Sequence, residues 1–154
     1  MPLSDLLASD AIIPSLKANS KKQALQEIAD RTAALTGLSA REVFDILLQR
    51  ERLGSTGVGA GIAIPHGKLP KFDRLFALFA RLEKPIDFDA ADGQPVDLLF
   101  VLLAPETAGA DHLKALARVA RLLRDPSVVQ KLRTSRDAGA MHTVLAMEPT
   151  SNAA

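Results

Sequence analysis

The chain has 154 residues, 47% of them hydrophobic and 24% charged, the balance of one globular domain with a core of its own. Nineteen basic residues against eighteen acidic ones leave a net charge of +1, which argues against nucleic acid or an anionic membrane as partner. Cysteine is absent, which excludes disulfides, thiolate nucleophiles, zinc fingers and iron–sulfur ligation, and the chemistry falls to three histidines, His66, His112 and His142.

Met1 to Leu6 holds no basic segment and no long apolar stretch, so no secretory signal is expected. The longest apolar run, Leu98 to Ala104, is too short to span a bilayer. The chain reads as cytoplasmic, with no membrane insertion. Residues 1–147 read as one domain and 148–154 as a disordered tail.

In chain order, Ala11 to Leu16 is a short strand. Ser20-Lys-Lys-Gln23 is a capping box, and behind it Ala24, Leu25, Ile28, Thr32 and Leu35 fall on one helical face, with Gly37 as the stop. Ser39-Ala-Arg-Glu42 is a second capping box. Its helix carries Val43, Ile46, Leu47 and Leu48 and ends before Gly54. Ser55 to Gly61, with glycines at 57, 59 and 61, reads as a flexible loop or as a nest of backbone N–H groups for an oxyanion. Ile62 to Ile64 is a strand stopped by Pro65. Leu75 to Ala80 and Leu98 to Leu103 are apolar without alternation, as in strands covered on both faces. Asp87 to Gly93 between them lacks the fifth-position and distal acidic ligands of a calcium loop and reads as a solvated turn. Asp111 is placed to cap a helix bearing Leu113, Leu116, Ala120 and Leu123. Asp125-Pro126 starts another, and Asp137 a third with Val144 and Met147. Helices at both ends and buried strands in the middle predict an α/β fold with helices on both faces of one sheet.

Nucleotide motifs fail. Gly67-Lys68 has Ile62 where a Walker A loop needs glycine, and Gly57, Gly59 and Gly61 lack the dinucleotide spacing. Ser55 has Leu53 two residues before it, so it is no nucleophile elbow. The histidines match no local metal-ligand spacing, so no metal is expected. His142 lies in an amphipathic helix and reads as surface or structural. His66 follows the Ile62–Ile64 strand between a rigid proline and a bare glycine that leaves room for a partner. His112 falls in the first turn of a helix, where N–H groups favour an anion. A histidine beside such a site can accept or donate a phosphoryl group.

Arg50-Glu-Arg-Leu-Gly-Ser-Thr-Gly57 with Gly61-Ile-Ala-Ile-Pro-His-Gly-Lys68 closely resembles the IIA domains of the fructose–mannitol type from the bacterial phosphotransferase system. Pro85-Ile-Asp-Phe-Asp-Ala90 and Gln94-Pro-Val-Asp-Leu-Leu-Phe100 resemble its nitrogen-regulatory branch, the PtsN or EIIA-Ntr proteins. The likeness runs from about Leu3 to Met147. It implies a three-layer α/β/α sandwich (α+β in some schemes) with a central mixed β-sheet flanked by helices. It implies that His66 is the phosphoacceptor, through Nε2, that His112 and Arg50 complete the site, and that Ser55, Thr56 and Gly57 form a polar phosphate-binding loop beside it. It implies a phosphohistidine carrier of the NPr or HPr type as donor and no cofactor. Regulatory targets, with sensor kinases or potassium-transport regulators as examples, are the implied partners. A transport-coupled IIA subunit passing phosphate to a separate IIB component is the alternative. No IIB phosphocysteine is expected within a chain that has no cysteine.

Overall fold

Two serine caps set the first half of the molecule, a computed structural model that describes residues 3–147. Ser20 Oγ accepts the N–H of Gln23 at 3.1 Å, and Gln23 Oε1 accepts the N–H of Asn19 at 2.7 Å, one residue upstream of the standard box. Helix α2 (Lys21–Thr36) then runs to Gly37, whose φ of 79° and N–H bond to Ala33 close it. Ser39 Oγ caps α3 (Ala40–Arg52) through the Glu42 N–H at 3.3 Å. Ahead of both lie a single helical turn, α1 (Leu3–Leu6), which the sequence does not announce, and strand β1 (Ile12–Leu16).

The rest of the sheet comprises β2 (Gly57–Gly59), β3 (Ile62–Ala63), β4 (His66–Leu69), β5 (Phe76–Ile86) and β6 (Val96–Pro105), in the order β1-β5-β6-β3-β2 with β4 also on β6. Pairing is mixed. β5 and β6 are antiparallel, as are β2 and β3, whereas β1 runs parallel to β5 and both β3 and β4 run parallel to β6. β6 is buried along nearly its whole length, and Phe100 packs on Phe79 of β5 with ring centroids 6.3 Å apart. That burial on both faces is why its sequence shows no alternation. Helices α2 and α3 pack together. Helices α1, α4 (Ala110–Leu122), α5 (Pro126–Thr134) and α6 (Ala138–Ala146) form a second group, and the sheet lies between helical layers.

Several expectations are corrected. The 55–61 segment is no loose loop: β2 and β3 form a hairpin whose two turn residues, Ala60 and Gly61, have φ of 58° and 81°. Arg133 clamps that turn, donating to the Ala60 carbonyl and to both Asp97 oxygens. His66 follows the short strand β3 as expected but also opens a further strand, β4, and β5 continues past Ala80 through Pro85. Between 87 and 91 the chain is not a wholly solvated turn, because Phe88 is fully buried. Asp111 does not cap α4; Gly109 stands at the cap without a side-chain bond. The buried face of α4 is His112, Ala115, Val119 and Leu122, while Leu113 is 67% exposed. Of the expected stripe, Leu123 is buried and Leu116 and Ala120 pack partly buried against the core, so Leu113 is the member that points away. Met147 likewise lies beyond α6 and is exposed, and Met141 and Leu145 fill the core in its place. Asp125 and Asp137 cap α5 and α6 as expected. The proposed tail, 148–154, lies outside the described residues.

Helix α3 approaches β4 closely because residue 67 has no side chain. A methyl there would stand 2.4 Å from Cγ2 of Ile46. The glycine therefore serves helix packing. Gly67→Ala is expected to destabilise the fold by about 1–3 kcal/mol, read as a lowered midpoint in urea unfolding. Adding Ile46→Ala should cost less in that background than alone, and full additivity would contradict the contact.

Candidate active site

Pro65 interrupts the edge that β3 and β4 share along β6, where Ala63 pairs with Leu99 and His66 with Leu102. The kink turns the Ile64 carbonyl onto the imidazole, 2.8 Å from His66 Nδ1. A carbonyl only accepts, so Nδ1 carries the hydrogen and the lone pair lies on Nε2. Arg50 agrees: its Nε–H donates to Nε2 at 3.2 Å, and its Nη1 donates to the Gly54 carbonyl at 2.8 Å. Helical spacing explains its reach. Ile46 sits over Gly67, and Arg50, one turn further along α3, comes over His66.

His112 enters from the first turn of α4 and is 5% exposed. Its ring centroid lies 5.8 Å from that of His66, with the planes 56° apart. Its buried Nδ1 has no hydrogen-bond partner among the described residues. Burial pushes the His66 pKa below the ordinary histidine value. The bond to Ile64 opposes that shift, the Arg50 charge adds to it, and the Glu51 charge opposes it. Burial, followed by His66 and the Lys68 charge, lowers His112 in the same direction.

The structure thus brings Arg50, His66 and His112 together. It gives the polar groups of the loop other partners. Ser55 Oγ donates to the Phe88 carbonyl at 2.6 Å and accepts the Gly57 N–H at 3.0 Å. The Thr56 N–H reaches Glu51 Oε1 at 3.0 Å, and its hydroxyl bonds Glu51 Oε2. Gly57 is tightly packed, since a methyl there would meet Cβ of Ala90 at 2.8 Å. His142 is structural, with Nε2 2.8 Å from the Leu7 carbonyl. Glu51, 6% exposed and paired with Lys21 at 2.9 Å, went unnoticed in the sequence. The signal was there: Val43, Leu47 and Glu51 fall on one inward stripe of α3, where a carboxylate is out of place. Among the described residues no cluster of three or more metal-ligating side chains occurs, and no helix is long and apolar enough to cross a membrane.

The model for the "Phosphoenolpyruvate-dependent sugar phosphotransferase system, EIIA 2" matches residues 5–147, and the chain belongs to that family. Within it, the chain is 65% identical over 153 residues to the nitrogen regulatory protein of Bradyrhizobium diazoefficiens, covering 99% of this chain and 100% of that one. The crystal structure of nitrogen regulatory protein IIA-Ntr from Neisseria meningitidis superposes with a TM-score of 0.88 at 36% identity, over 93% of this chain and 98% of that one. IIA mannitol from Escherichia coli shares the fold, with a TM-score of 0.75 at 22% identity over 90% of this chain and 98% of that one.

Both histidines hold their protons less tightly in the folded chain than at the ordinary value of 6.5. As pH falls through 6.5 the unfolded chain therefore takes up protons first, and stability falls. Thermal melts from pH 8 to pH 5 are expected to show this loss, with a shallower slope in His66→Asn. Equal slopes in the two proteins would contradict the lowered affinity.

Proposed function

We propose that the chain is a regulatory phosphocarrier that takes a phosphoryl group on Nε2 of His66 from a phosphohistidine carrier of the NPr or HPr type. The observation that carries this reading is the lone pair on Nε2, aimed by the Ile64 carbonyl and faced by Arg50 and His112. In the transfer, Nε2 attacks phosphorus and the donor's nitrogen–phosphorus bond breaks, its electron pair staying on the donor imidazole. The Nδ1 hydrogen stays on His66, and the bond to Ile64 stabilises the positive charge the ring acquires.

Positioning and charge do the rest. Arg50 Nε stands beside Nε2, where the phosphoryl group arrives, so the guanidinium changes its acceptor from nitrogen to phosphoryl oxygen. His112 flanks the ring and supplies a further polar contact. The depressed proton affinity of His66 keeps it neutral and nucleophilic at pH 7. Ser55, Thr56 and Gly57 serve the site by bracing the turn after α3. The name of the Bradyrhizobium relative supports a regulatory output, in which cytoplasmic partners of the sensor-kinase or potassium-transport-regulator kind distinguish the two forms.

Incubation with phosphorylated carrier is expected to place acid-labile phosphate on the wild type and none on His66→Ala. Undiminished labelling of that variant would refute the assignment. Arg50→Ala and His112→Asn should each slow uptake roughly a hundredfold, measured as single-turnover label transfer. Rapid onward transfer to a separate IIB protein, with no partner bound selectively by either form, would favour the transport reading.

A further inference from the structure

We propose that Glu51 is a positioning residue of this site, which grips Thr56 and Lys21 so that the turn after α3 holds Arg50 in line with Nε2 of His66. The inference rests on the phosphocarrier reading and deepens it.

Arg50 lies in the last turn of a helix, where backbone groups lack partners and the chain frays. A long side chain there loses its many rotamers only if something holds it. Two bonds do so, one to His66 Nε2 and one to the Gly54 carbonyl. Gly54 belongs to the turn that follows α3, with φ of 148°, and its N–H bonds the Glu51 carbonyl at 3.1 Å. Where its own carbonyl points depends on how residues 51–56 close. The Glu51 side chain makes that closure. One carboxylate oxygen takes the Thr56 N–H and the other its hydroxyl, five residues on. Lys21, at the start of α2, pairs with the same carboxylate at 2.9 Å. Lys21 is held in turn over the Phe88 ring, 4.8 Å from its centroid, and lies 3.7 Å from Asp89. Phe88 accepts from Ser55. The grip therefore ties α2, the end of α3, the 55–57 segment and the 87–91 segment into one polar unit behind Arg50.

Removing the Glu51 carboxylate alone would leave the Lys21 ammonium and the Thr56 N–H and hydroxyl without their acceptor. Glu51 has a second effect on the ring. Its charge raises the proton affinity of His66 against burial and against Arg50. The charged and titratable groups that bear on the two rings are Arg50, Glu51 and Lys68, with each histidine bearing on the other.

The test uses Glu51→Gln and Glu51→Asp in the full chain, alone and with Arg50→Ala. Glu51→Gln is expected to slow label transfer to His66 roughly tenfold to a hundredfold, with Glu51→Asp restoring part of the rate. In the Arg50→Ala background Glu51→Gln should add little, because both act through one contact. NMR of the unphosphorylated protein should show the Arg50 Nε–H resonance protected in wild type and lost in Glu51→Gln. A wild-type rate in Glu51→Gln, or effects that multiply fully with Arg50→Ala, would overturn the proposal. Should Glu51→Gln not fold, Thr56→Val, which removes only the hydroxyl, takes its place with the same expected outcomes. If wild type accepts no phosphate at all, the carrier reading fails, and the Arg50 resonance still decides the role of Glu51.

Discussion

Strand β6 is the reference to which the whole site is tied. Its two faces are buried and both its edges are paired, so it cannot shift without breaking the core. One edge holds the long antiparallel β5, and the other holds β3 and β4 end to end, with Pro65 between them. Because proline breaks the pairing at that point, the Ile64 carbonyl turns away from the ladder and meets the His66 ring. The imidazole is therefore oriented by main chain held on the edge of β6. Arg50 and His112 then approach it on helices from different layers, α3 on one side and α4 from the other group. A fold of this kind turns packing order into chemical order, since a site assembled from two layers exists only when the sheet between them is formed.

The sequence announced the helix starts well because serine and aspartate caps act locally. Ser20, Ser39, Asp125 and Asp137 each accept the bond expected of them. It announced the buried parts of β5 and β6 because their apolar runs are of strand length and lack alternation. It misplaced what depends on tertiary contacts. The glycines of 55–61 suggested freedom, yet Gly57 packs on Ala90 and the Ala60–Gly61 turn is clamped by Arg133. The inward face of α4 includes a histidine, which a stripe of leucine and alanine does not reveal, and it leaves Leu113 outside. In the site itself, His66, Arg50 and His112 stood out by motif and resemblance. Glu51 did not, because its meaning lies in Lys21 and Thr56, and only the fold brings Lys21 near.

Two kinds of polar burial coexist here with opposite bookkeeping. The Glu51 carboxylate is surrounded by donors, from the Lys21 ammonium to the Thr56 N–H and hydroxyl. His112 Nδ1 is buried with none among the described residues. The first arrangement stiffens a helix end, and the second holds an imidazole in its neutral form near another. Stiffness and a low charge on the ring are different requirements, and separate residues meet them.

The position of Arg50 has one more consequence. With the ring bare, its Nε–H already rests against the nitrogen that would bear phosphorus. A phosphoryl group would arrive at a place where a donor waits, and its departure would return that donor to nitrogen. Bare and loaded states would then use nearly the same donors with different acceptors, and neither would demand a rebuilt surrounding. A site of that sort would take up and release the group without rearranging the strands and helices around it.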